Sequence, residues 1–141
     1  PCVLSLGLLT LDLDVTRLTL PVLGAAVWVG GPIGLAALVG PLLRVAPDAV
    51  APAARVFARV GWPAFGVLVV TGLWMLSDGG DKSDAFQTTL MIKLTLVVLS
   101  GIGAALHTFA KSPVLMSVWG TVGLVCALGA VLLGVSIVEA G

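Results

Sequence analysis

Charge is what this chain has least of. Of its 141 residues only 10% are charged and 59% are hydrophobic, whereas a soluble domain carries about 25% charged residues. A soluble fold of this length could not hide so much apolar surface, because small domains bury only about two-thirds of what the unfolded chain exposes. Lipid has to solvate the rest. The seven basic and seven acidic side chains cancel, which removes the basic footprint that nucleic-acid binding requires. Tyrosine is absent, and there is one histidine. The two cysteines, Cys2 and Cys126, form no C-x-x-C, so disulfide exchange has no motif to stand on. Cys126 sits in an apolar run and reads as a small packing residue; Cys2 is left open between free, paired and processed. No nucleophile–base pair, phosphate loop or metalloprotease motif occurs, and no enzyme activity is expected.

What the chain has in quantity is long apolar stretches. Four of them, at about 18–43, 56–76, 85–110 and 114–138, reach or exceed the roughly 20 residues that cross a bilayer core. The expected architecture is an all-α integral membrane four-helix bundle over residues 18–141. Residues 1–17 precede it as an interfacial or processed segment, too short before Asp12 to span. Gly30-Gly31-Pro32 predicts a kink within the first span. Arg44, Asp48, Arg55 and Arg59 are assigned to the loop that follows. SDGGDKSD (77–84) reads as a turn-rich solvated loop, with Asp84 assisting the start of the third helix; its acids lack the order of a calcium loop. Lys111-Ser112-Pro113 makes the last connection a tight one.

Arg44, Arg55, Arg59 and Lys111 fall on one side of these spans, and Arg17 and Lys82 on the other with most of the acids. The positive-inside rule then predicts a multi-pass protein of the plasma membrane with both termini outside. Trp62, Trp74 and Trp119 fit interfacial positions, while Trp28 lies deeper and packs. Ala26-x-x-x-Gly30-x-x-x-Gly34, Gly101-x-x-x-Ala105 and Ala130-x-x-x-Gly134 are faces on which helices approach closely. Partners are therefore the bilayer and, through such faces, other membrane subunits or further copies of the chain.

Lys93 and His107 are the ionisable side chains inside the third span. They lie fourteen residues apart, which places them on one helix face about 21 Å apart, with Ser100 midway. Groups of this kind at membrane depth are costly and tend to face a bundle interior or a functional path. The plainer reading has Lys93 snorkelling to one surface and His107 in the last turn at the other. Haem is not expected, since bis-histidine ligation needs two histidines and a His107/Met116 pair is the alternative the chain offers. Copper suits the soft donors better: Met75 and Met91 flank the same outer loop, Cys2 is predicted on that side, and His107 lies at the inner end.

Five segments together resemble a known family: GAAVWVGG (24–31), R-x-F-A-x-x-G-W (55–62), VVTGLW (69–74), LMIKLTLV (90–97) and ALHTF (105–109). In order and spacing they are similar to the copper resistance protein D family, in its short, four-helix actinobacterial-type form. The resemblance covers residues 18–138. It implies a membrane protein of copper uptake or handling, with Lys93 matching a lysine early in the third helix and His107 a histidine late in it. Family members often carry a histidine shortly before A-V-W-V-G-G, where this chain has Pro21. That departure points to a derived role, as an accessory or structural subunit of a larger membrane assembly.

Overall fold

The computed structural model describes residues 2–78 and 83–140, and gives only the helical backbone for residues 2–6, 9–11, 13–14 and 137–140. The described residues form four α-helices: α1 (Cys2–Val45), α2 (Val50–Ser77), α3 (Asp84–Phe109) and α4 (Pro113–Ala140), with a 3-10 turn at Pro47–Ala49 between the first two. All four are long and apolar enough to cross a membrane. In hydrocarbon no water pairs with backbone N–H and C=O groups, so a spanning segment must satisfy them itself, as a helix does. The chain is a multi-pass membrane protein built as an all-α four-helix bundle, and four spans return its two ends to one side.

The helix boundaries differ from the sequence expectation in two places. Residues 2–17 continue into the first span as one 44-residue helix. Thr16 and Thr19 return their hydroxyl protons to the carbonyls of Asp12 and Val15, at 2.6 Å each, so polar side chains within the helix are satisfied by it. The helix is also assigned without a break through Pro21, Pro32 and Pro41. Second, α2 begins at Val50 and takes in Arg55 and Arg59, which the sequence reading gave to the loop. Pro52 does not prevent this. It stands in the first turn, where backbone N–H groups have no helical partner anyway. Ser83 caps α3, its Oγ accepting from the Phe86 N–H at 3.4 Å, with Asp84 in the first turn.

The bundle is two hairpins. α3 packs most closely on α4, and α1 on α2; the α2–α3 and α1–α4 contacts close the ring. Glycine sets these distances where backbones meet. A Cβ on Gly103 would fall 2.9 Å from the backbone of Gly123, so α3 and α4 touch there main chain to main chain. Gly24 stands in the same way against the Ala64 carbonyl, at 3.1 Å, bringing α1 onto α2. At the end of the bundle where the chain begins, Arg17 donates to Asp78 at 2.6 Å and lies over the Trp74 ring at 5.2 Å. Both partners of that pair are substantially exposed, so it contributes less than about 1 kcal/mol.

The glycines fall into two groups with different expected behaviour. Gly103→Val forces the α3–α4 backbones apart and should cost about 2–3 kcal/mol. Gly34→Ala and Gly66→Ala meet no atom within 4 Å and should change stability by no more than about 0.5 kcal/mol. Reversible unfolding in mixed micelles would measure both; equal effects would mean that the Gly103–Gly123 approach does not fix the hairpin.

Candidate functional site

Three rings cluster on the α1–α2 hairpin, two of them half-buried and Trp62 exposed on the outer side. Trp28 on α1 and Phe65 on α2 approach to 4.7 Å between centroids, and Trp62 stands edge-on to both, at 5.6 and 5.8 Å. Space for them is made by missing side chains. A Cβ on Gly101 would collide with the Phe65 ring at 2.4 Å, and one on Gly61 would touch the Trp28 ring at 3.7 Å. Ser100, 1% exposed, receives the Trp28 indole N–H on its Oγ at 3.1 Å and passes its own proton to the Val97 carbonyl at 2.7 Å. α1 and α3 make no close backbone approach, so the indole reaches across the bundle diagonal. Each polar atom at this depth has a partner, which is the condition for burying it.

Of the face formed by Lys93, Ser100 and His107, the three members have different surroundings. Ser100 is held as described. Lys93 lies along α4, with its Nζ 3.0 Å from where a Gly134 Cβ would be. His107 is tied across the α3–α4 turn: its Nδ1 is 2.6 Å from the Met116 carbonyl oxygen. A carbonyl has no proton, so Nδ1–H is the donor, and the neutral ring keeps its lone pair on Nε2. Among the described residues no hydrogen bond links Ser100 to either ionisable neighbour, so the three do not form a continuous proton relay.

The soft donors are spread along the bundle. Leu94 packs at Gly72 and Phe65 at Gly101, and the same antiparallel register sets Met75 and Met91 at one height on neighbouring helices. Met75 is half-buried, whereas Met91 is 53% exposed and lines an outer groove with Gln87, Thr88, Ile92, Thr95 and Leu96. His107 is sixteen residues further along α3, about 24 Å from Met91. The backbone of Cys2 starts α1, and its side chain lies outside the described residues. No cluster of three His, Cys, Asp or Glu side chains occurs among the described residues.

Trp62, assigned from the sequence to an interfacial belt and 42% exposed, also joins the aromatic cluster. Because α2 starts at Val50, Trp62 stands about 18 Å inside the helix. The pairing of Trp28 with Ser100 was also missed. Its available signal was a deep tryptophan, whose N–H requires an acceptor when buried, and a serine on an inward seam flanked by glycine. Comparison with protein-family models, with curated proteins and with solved structures gave no match.

Ser100→Ala should leave the indole N–H unpaired and lower stability by about 1–2 kcal/mol, with Trp28→Phe costing a similar amount. A double-mutant cycle in micelles should return a coupling of about 0.5–1.5 kcal/mol. Additive effects would show that the hydrogen bond contributes nothing.

Proposed function

We propose that this chain is a copper-handling protein of the plasma membrane, with both termini outside. The observation that carries the reading is the attachment of His107. A histidine that ligates a metal almost always donates its other ring N–H to a carbonyl or carboxylate, which fixes the ring and raises ligand basicity. His107 has that arrangement through Met116, at the end where the family resemblance sets a histidine. Met75 and Met91 offer thioethers at the opposite end, and thioethers suit Cu(I). The candidate soft and imidazole donors stand at the two ends of the bundle, so the reading assigns copper to the ends. The ion is cargo, and no redox step is assigned to it.

One observation favours a second reading, an accessory subunit of a larger membrane assembly. Gly30 and Gly34, part of a small-residue pattern in the sequence, meet no atom of another described element within 4 Å of their Cβ positions. A face suited to close approach is thus left without a helix of its own.

Metal analysis of protein purified from copper-supplemented cells should find copper, lost in His107→Ala and reduced in Met75→Leu/Met91→Leu, with matching changes in the copper sensitivity of a deletion strain. Copper-free protein with unchanged sensitivity would reject the first reading. Under the second, purification in native lipid should bring down stoichiometric partner subunits.

A further inference from the structure

We propose that the outer face of the α1–α2 hairpin is a binding site for an anionic phospholipid, with the phosphate held by Arg55 and Arg59 and an acyl chain in the groove beside them. The groove has a volume of about 310 Å³ and is lined by Val27, Gly30, Gly31, Val56, Phe57 and Val60. All six side chains are apolar or absent, and the two glycines create the depth. No atom of another described element lies within 4 Å of a Gly30 Cβ, and Phe57 is in ordinary contact distance of Gly31 at 3.6 Å. The volume is at the lower end of ligand-sized sites, and the lining offers a ligand no hydrogen bond from a side chain.

The cations stand on the neighbouring face of α2, at the height of the groove. On α2, Arg59 is one residue before Val60 and three after Val56, and Arg55 is one before Val56. Both therefore project on the side of the groove turned away from α1. They are four residues apart, which sets their Cβ atoms about 6 Å from each other, a separation that one phosphate can span between two guanidiniums. Both are exposed, and neither has an ion pair or hydrogen bond among the described residues.

Depth supplies the second argument. Phe65 packs at Gly101, so in the antiparallel register of α2 and α3 Arg55 is level with Lys111 in the α3–α4 turn. That turn is where the chain leaves the hydrocarbon, so Arg55 stands at headgroup depth. Arg59 is one turn deeper, from where its side chain extends outward to the same level. An apolar groove that begins at headgroup depth, with two unpaired cations at the same height on the adjoining face of α2, matches a phospholipid, and the positive sign selects an anionic one.

Native mass spectrometry of the detergent-solubilised protein, titrated with phosphatidylglycerol or phosphatidylcholine of identical chains, tests this. The wild type should bind phosphatidylglycerol about tenfold more tightly. Arg55→Gln/Arg59→Gln should bring the two lipids to parity, and Gly30→Leu should weaken both by filling the groove while circular dichroism stays unchanged. Equal binding of both lipids by the wild type, or a preference that survives the double arginine variant, would overturn the assignment. So would displacement of the lipid by millimolar inorganic phosphate, the mark of a bare anion site. A wild-type dimer abolished by Gly30→Leu would give the groove to a second copy.

Discussion

The hydrogen bond from the Trp28 indole to Ser100 is the constraint around which the bundle is arranged. In a bilayer the helices gain nothing by hiding apolar surface from one another, because lipid tails are as apolar as leucine. Association has to come from close packing and from polar groups that lipid cannot satisfy. An indole N–H at this depth is such a group, and its acceptor lies on the diagonally opposite helix. Satisfying it fixes the distance across the bundle to the reach of one tryptophan, and thereby the separation of the two hairpins. Ser100 fits the role because its hydroxyl accepts from Trp28 and still donates to Val97 within its own helix.

The glycines follow from that geometry. Packing Phe65 beside Trp28 demands room, and Gly101 provides it by having no side chain where the Phe65 ring lies. Gly103 and Gly123 act differently. They let α3 and α4 touch through backbone, so that α4, which contributes no ring to this cluster, stays tightly attached to the helix carrying Ser100. The small residues thus divide into ring-facing, backbone-facing, side-chain-facing (Gly72 on Leu94, Gly134 on Lys93) and unpartnered positions. The i, i+4 pattern alone does not separate these classes, because each is the same spacing seen from a different neighbour.

The helical architecture was legible for the reason that makes membrane proteins readable at all: apolar length is the signal, and backbone pairing leaves few alternatives. The third and fourth helices fell within a few residues of expectation because Ser83-Asp84 and Pro113 mark their starts. The second helix was misjudged where charge was taken as the sign of a loop. Arg55 and Arg59 are helical, and long basic side chains can extend from a helix to the headgroups. Lys93 and His107 were legible as ionisable groups on one face, since that needs only the helical period. Trp28 and Ser100 were each visible singly, but their pairing depends on which helices stand diagonally, and no local spacing across 72 residues encodes that.

Where polar capacity remains bears on every functional reading. At the centre, donors and acceptors use one another up: indole with hydroxyl, hydroxyl with carbonyl. Groups left with capacity include the Lys93 ammonium toward one end, His107 Nε2 toward the other, and the guanidiniums of Arg55 and Arg59 on the outer face. Among the described residues no hydrogen bond links Lys93 or His107 to Ser100 between them. A charged ligand therefore meets this protein at its ends or its perimeter, where headgroups and water already lower the cost of holding it. A copper ion at an end, a neighbouring subunit on the Gly30–Gly34 face and a phosphate at the arginines are all compatible with that distribution. All three leave the Trp28–Ser100 bond that organises the bundle intact, so a ligand at any of these places binds without the hairpins having to separate.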